Sequence, residues 1–294
     1  MRRILAIILF LIFSLSEISF ALDWKNLHEK ADNEDLKTIR AKVLNNPNSI
    51  ENLYVLGLVY FNLYKDSEAL EVFSDILKRD PKVIEAKWGV AESLRRKHDL
   101  DKSEILLNEV IKSNSEFSPA YISLAYIKYI RLDFESSVKL ALKVIEQGQS
   151  NMDLTNYVRA IVMYAGAKGM IAHYGGVFSK AVNGLSVKPN LDKAEKLQPN
   201  SSTVLFGLGS FYLLAPAIAG GDKNKAEEYF LKAIKVDPLF ADVYVRLAQL
   251  YKAQKDNLKY EFYLQKATEI DPKSERLLDY NSGKCKYICA DKES

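Results

Sequence analysis

From residue 50 onward, apolar residues recur at three- and four-residue intervals, in blocks that come in pairs. Leu53, Leu56, Gly57 and Tyr60 form one such stripe; Ala69 and Phe73 form the next, and Pro81 closes the pair. This spacing predicts amphipathic helices rather than strands, because only a helix brings every third and fourth side chain to one face. The same series returns as Leu205, Leu208, Gly209 and Tyr212, then Ala226, Phe230, Ala233 and Pro238. It returns again as Tyr244, Leu247, Ala248 and Tyr251, then Leu264, Ala267 and Pro272.

The prolines set the period. Pro47 and Pro81 are 34 residues apart, as are Pro238 and Pro272, while Pro199 and Pro238 are 39 apart. Two further units keep the frame without a closing proline: Val90, Ala91, Leu94 and Leu107, then Tyr121, Leu124, Ala125 and Ala141. Ser103 and Ser137 stand in them where the pattern otherwise has Ala. Small residues at 57, 125, 209 and 248 let a partner helix approach closely, and each proline stops a helix and so phases the next unit. One hairpin buries too little to stand alone, so such units must stack. The organisation expected is a leader at 1–21, a helical cap at 22–49 and three repeats at 50–151. A degenerate helical segment at 152–201, two repeats at 202–274 and a closing helix with a loose tail at 275–294 complete it.

These residues resemble tetratricopeptide repeats, helix–turn–helix units of 34 residues. The resemblance implies an all-α, right-handed α-solenoid with one irregular central segment, and a role in protein interaction. It also implies that the first helix of each unit lines a concave face. By offset from the buried stripe, that face would carry Tyr54, Leu58 and Phe61, then Trp88 with Glu92 and Arg95. Ile122, Tyr126 and Tyr129 follow, then Phe206 with Ser210 and Leu213. Family members that clamp a partner's terminal carboxylate use Lys and Asn on this face. Tyr54, Leu58, Trp88 and Ile122 stand there instead, which argues against that clamp. Two fates for an apolar face stay open. The protein covers it, for instance with residues 152–198, or a partner peptide or an apolar small molecule fills it.

Two stretches depart from the repeat. "YVRAIVMYAGAKGMIAHYGGVF" is crowded with Ala and Gly, as in a tightly packed helix pair or the wall of a cavity. "LLAPAIAGG" inserts five residues at a turn; Pro216 stops one helix and Gly220–Gly221 reverse the chain before Asp222, placed to cap the next helix. Being apolar, the insertion (Pro216, Ile218, Gly220, Gly221) is expected to pack as a lip on residues 164–178 or on the groove edge. The widened turn is similar to one in exported repeat proteins associated with tripartite (TRAP-type) solute transporters, the TatT-like family. That resemblance implies an alternative role as a periplasmic accessory binding an apolar small ligand. The known members are lipoproteins, and this chain has no Cys near its leader.

Composition narrows the reading further. With 41 basic and 38 acidic residues in 294, a net charge of +3 gives no electrostatic case for nucleic acid. Arg2, Arg3, the apolar run "ILAIILFLIFSL" and the small residues Ser19 and Ala21 have the layout of a cleavable export signal, short of the ~20 residues of a spanning helix. A periplasmic or secreted location follows. If the signal stays uncleaved it would be the chain's membrane contact. Cys285 and Cys289 are the only thiols, and an oxidising compartment permits them to pair. His28, His98 and His173 are scattered, two thiols do not complete a metal site, and "GLGSF" lies mid-helix with no preceding strand. No metal, cofactor or catalytic residue is expected, and the partner is a protein or peptide, or else an apolar small molecule.

Overall fold

The computed structural model describes residues 22–291, so the leader at 1–21 lies outside the described residues. Within them there are fifteen α-helices, two single 3-10 turns and no strand. The chain divides into two compact units, Met1–Val90 and Ala91–Ser294.

The first unit holds α1 (Trp24–Asn33), α2 (Leu36–Asn45), α3 (Ile50–Asn62), α4 (Asp66–Arg79) and the first half of α5 (Ile84–Arg96). Asp35 caps α2 by accepting from the Thr38 N–H, and Ser49 caps α3 by accepting from the Asn52 N–H, each satisfying an orphan donor of the first turn. The unit is organised around Phe73 of α4, which is fully buried. Gly57 of α3 lies against the Cζ end of its ring and Gly89 of α5 against the Cγ end; a Cβ at either would lie 2.5 or 2.4 Å from a ring carbon. The small places of the repeat are therefore set by one aromatic ring shared between three helices.

The second unit continues with α6 (Leu100–Ser113), α7 (Ser118–Ile130) and α8 (Phe134–Gln147). Ser103 of α6 replaces the pattern's Ala at no cost in unpaired donors, because its buried hydroxyl donates to the Ala91 carbonyl at 2.7 Å. Two long antiparallel helices follow, α9 (Leu154–Tyr174) and α10 (Val177–Leu197), at 21 residues each against 13 and 14 in the repeats. Then come α11 (Ser202–Leu214), α12 (Lys223–Val236), α13 (Ala241–Ala253), α14 (Asn257–Ile270) and α15 (Glu275–Ser282). Gly209 and Phe230 repeat the arrangement of Gly57 and Phe73, a Cβ on Gly209 falling 2.6 Å from the ring.

The period is also written in the backbone. Tyr64, His98 and Leu132 all have φ between +56° and +66°, at 34-residue intervals, and Lys255 joins them at +63°. Each ends the first helix of a unit in the left-handed conformation. The next residue's N–H then returns to a carbonyl of the last turn, as in Lys65 to Tyr60, Asp99 to Leu94, Asp133 to Lys128 and Asp256 to Tyr251. These four turns are superimposable in kind, including the two units that lack a closing proline.

The widened turn is built differently. Ala217–Ala219 form a 3-10 turn, Gly220 takes φ +96°, and the Asp222 N–H reaches back to the Tyr212 carbonyl at 2.9 Å. A Cβ on Gly221 would sit 1.9 Å from the Ala215 carbonyl oxygen, so the reversal needs glycine there. Asp222 caps α12 by accepting from the Asn224 and Lys225 N–H groups. The turn is held by its own main-chain bonds and points outward, with Ile218 99% exposed.

Candidate functional site

In the first unit, Tyr54, Leu58 and Phe61 of α3 and Trp88 of α5 come together, and all four are buried. Tyr54 and Phe61 pack on Phe73 at ring-centroid distances of 5.6 and 5.3 Å. Phe61 meets Trp88 edge-on at 6.2 Å. The cover is α1. His28 sits between Trp24, Tyr54 and Trp88, its ring 5.3 Å from that of Trp88, and its Nε2 is 2.9 Å from the Tyr54 hydroxyl. Burying this aromatic face against a helix of the same unit makes it part of a core.

The inner side of the second unit is polar as well as aromatic. Glu92 at the end of α5 accepts from Arg95 through both oxygens, at 2.8 and 2.6 Å, and from the Ser123 hydroxyl of α7 at 2.7 Å. Burial alone would push the Glu92 carboxyl up. The charge and hydrogen bonds of Arg95, then Arg159 and Arg96, outweigh burial and hold it at about 2. Burial would lower the Arg95 guanidinium, but Glu92 more than compensates and raises it. The Arg95 guanidinium in turn lies 4.4 Å from the centre of the Tyr126 ring. Ile122 is buried beside this pair on α7.

The end of α5 also meets the last repeat. His98 places Nδ1 3.0 Å from Glu275 Oε1 and Nε2 3.2 Å from Asp271 Oδ1. These two hydrogen bonds, against partial burial, raise its pKa to about 9, so the imidazolium is the form held at neutral pH. The first and last helical elements of this unit are thus joined by an ion pair at the α14–α15 turn.

The space inside is filled by the end of the chain. Sequence patterning predicts a loose tail; instead residues 283–291 fold back from α15 as a short loop closed by a Cys285–Cys289 disulfide, with Cα atoms 5.3 Å apart. Tyr287 at its centre is 6% exposed and stacks on Tyr129 of α7, at 6.1 Å and 11° between planes. Its hydroxyl donates to the Ile130 carbonyl at 2.6 Å, and its N–H to Asp279 at 3.0 Å. Arg246 of α13 donates to two consecutive carbonyls of the loop, Tyr287 at 2.9 Å and Ile288 at 2.7 Å, and to Gln249 at 2.8 Å. Arg276 of α15 lies over both Phe206 and Tyr287, at 5.4 and 5.6 Å, and is paired with Asp242. At the outer edge the Tyr174 hydroxyl of α9 donates to the Lys286 carbonyl at 2.7 Å.

Arg246 is the unusual member. It is buried, its Nε has no hydrogen-bond partner among the described residues, and no carboxylate bonds to it directly. Burial, then the like charge of Arg276, lowers its pKa to about 9. A guanidinium held this way reads main-chain carbonyls rather than a counter-charge.

Of the residues expected on the concave face, the structure brings Tyr126, Tyr129 and Ile122 together on α7, and sets Phe206 against Phe240 at 5.0 Å and under Arg276. Sequence reasoning missed Arg246, Gln249, Arg276 and Tyr287. The available signal was an arginine inside the apolar run "VYVRLAQLY", where a repeat stripe should carry none. Among the described residues no group of three or more His, Cys, Asp or Glu could hold a metal ion, and no helix is long and apolar enough to cross a membrane. His173 has its pKa lowered by burial and by Lys180.

Family models described as tetratricopeptide repeat match residues 51–82, 217–238 and 241–274. It is a tetratricopeptide-repeat protein. The left-handed turns at Tyr64 and Lys255, inside the matched stretches, recur at His98 and Leu132. Its fold resembles a tetratricopeptide repeat protein from Parabacteroides merdae, at 17% identity and TM-score 0.53, over 86% of this chain and 94% of that one. The human IFIT1 dimer with m7Gppp-AAAA is similar at 18% identity and TM-score 0.58, over 85% of this chain and 59% of that one. The Cut9–Hcn1 hetero-tetramer of the APC/C is similar at 16% identity and TM-score 0.57, over 86% of this chain and 47% of that one. No curated protein matches the tetratricopeptide-repeat chain significantly.

Proposed function

We propose that this protein is an exported, non-enzymatic scaffold that binds a protein partner through a peptide turn, received on the inner face of its second unit. The carrying observation is the pose of the chain's own loop. Arg246 grips two successive main-chain carbonyls while Tyr129 and Arg276 take an aromatic side chain. That is how a peptide would be held: carbonyls for affinity, one aromatic ring for selection. The loop then acts as an internal occupant that a partner segment with a similar aromatic must displace. Export is supported by the leader's residue pattern and by the paired cysteines, since disulfides persist in oxidising compartments.

The alternative of an apolar small ligand draws less support. Tyr54, Phe61 and Trp88, the most apolar part of the expected face, lie buried under α1.

The test is a chain ending at Ser282 titrated with a synthetic, oxidised peptide of residues 283–291. Calorimetric binding that disappears in Arg246→Ala, with helicity retained, is the expected result. No binding by a folded truncated chain would remove the reading. Intact mass of the protein recovered from its source compartment checks removal of residues 1–21.

A further inference from the structure

The first half of α10 is inside out. Its solvent side carries Val177, Phe178, Ala181, Val182 and Leu185, a helical stripe without one polar member, and Val177 and Phe178 are 88% and 83% exposed. The polar residues face inward. The Ser179 hydroxyl donates to the Ile171 carbonyl of α9 at 3.1 Å. Asn183 donates to the Ser179 carbonyl and hydroxyl and accepts from Lys168 of α9 at 2.9 Å. The Ser186 hydroxyl donates to the Asn183 carbonyl at 2.7 Å. Packing against α9 thus mixes these polar bonds with the small contacts of Gly184 at Ala172 and Val187 at Gly169, while the apolar stripe is left to water, against the usual amphipathic order.

Charge close to the stripe is basic. No Asp or Glu lies between Asp153 and Asp192, while Lys168 and Lys180 do; Lys188 is paired with Asp192 and Arg159 faces the Glu92 cluster instead. Lys180 is exposed within the stripe's own turns. The C-terminal loop, held to the end of α9 by the Tyr174–Lys286 bond, adds the exposed Lys284 and Lys286. The pair α9–α10 also exceeds the repeat helices by seven or eight residues, about 11 Å at 1.5 Å per residue.

We propose that this hairpin is a membrane-surface anchor, in which the α10 stripe lies in the interface of an anionic bilayer and the flanking lysines meet lipid phosphates. An exposed apolar helical stripe bordered by lysines is the pattern of helices that lie in the interface plane without spanning it. A second copy of the chain fits less well. A two-fold contact through α10 would bring Lys168 and Lys180 of both copies together with no acidic residue on the segment to offset them. This contact is separate from the leader and independent of the peptide-binding reading, because it uses the outer side of α10.

The full chain carrying Phe178→Trp is mixed with phosphatidylglycerol/phosphatidylethanolamine vesicles, with and without brominated acyl chains, and with phosphatidylcholine vesicles. Subtracting the wild-type emission of the buried Trp24 and Trp88 leaves a signal that reports this helix whatever the leader does. The expected result is a blue shift and bromine quenching with anionic vesicles only, reversed by high salt, and partitioning about fivefold weaker after Lys180→Gln. Absence of quenching overturns the proposal. So does emission already blue-shifted without lipid together with a dimer that Phe178→Glu splits, which would assign the stripe to a second copy. Phe178→Glu also serves as the loss-of-binding control, since its exposed position leaves the fold intact.

Discussion

Each of the two units has an inner aromatic face that the chain itself covers, by opposite means. In the first, α1 lays His28 on the rings of Tyr54 and Trp88, with Trp24 edge-on against it and Leu27 and Ala31 buried on the same helix. In the second, a nine-residue loop is held through its main-chain carbonyls by Arg246 and through one ring by Tyr129 and Arg276. The first cover is interchangeable with nothing, because its shape is matched to the rings beneath it. The second is generic in its contacts, since any turn that aims two successive carbonyls to one side, as Tyr287 and Ile288 do in the turn closed by the Ile288 N–H to the Cys285 carbonyl, could meet Arg246. A core and a binding face can thus arise from the same repeat pattern, and what separates them is whether the cover is recognised by its side chains or by its backbone.

The largest effect should come from breaking the first cover's foundation. Phe73→Ala removes the ring shared by Gly57 and Gly89 and should cost about 3–5 kcal/mol. Denaturant melts followed by Trp24 and Trp88 fluorescence would show it; a loss below about 1 kcal/mol would mean the first unit does not depend on that ring.

The second cover should yield to a smaller push. Replacing both cysteines by serine forfeits the loop-closure term, about 2 kcal/mol for so short a ring. Amide exchange should rise in residues 283–291 and at Arg246 while residues 22–90 stay protected. Uniform protection throughout would show that Arg246 alone suffices to hold the loop.

A pH effect should follow in the second unit. His98 has a folded pKa raised to about 9 by Asp271 and Glu275, above the ordinary value of 6.5. Its contribution is therefore complete below about pH 6.5 and is lost as pH rises through about 9. Thermal melts between those values should fall for the wild type and flatten for His98→Gln; parallel slopes would detach the ion pair from stability.

The smallest effect concerns the turns. Lys255 is exposed and left-handed, so Lys255→Gly should stabilise by about 0.5–1 kcal/mol, despite the entropy that glycine costs elsewhere. A destabilised variant would mean that the Lys255 side chain makes contacts that outweigh its backbone conformation.

Much of the fold was legible in the residues. Pro47, Pro81, Pro238 and Pro272 announce the period, and Gly57 and Gly209 mark where an aromatic ring must fit, because helix termination and close approach are properties of single residues. The turn conformation at Tyr64, His98 and Leu132 was not legible, since none is glycine and the surrounding hydrogen bonds impose it. Asp222 was placed correctly as a cap, while residues 216–220 of the apolar "LLAPAIAGG" turned outward, their main-chain bonds closing on themselves, and Leu213 stayed in the core.

The candidate site shows the same division. Tyr126, Tyr129 and Phe206 could be expected on an inner face from their offset along a helix together with the resemblance, which names the lining helix. That residues 283–291 return to Tyr129 and Arg246, from more than 40 positions away in either case, could not, because no local periodicity encodes a contact of such separation. The amphipathic stripe of α10 was present in the sequence as a pattern, yet its direction depended on α9 offering Lys168 and the Ile171 carbonyl to its polar side. A sequence determines which faces a helix has; only its neighbours decide which of them meets water.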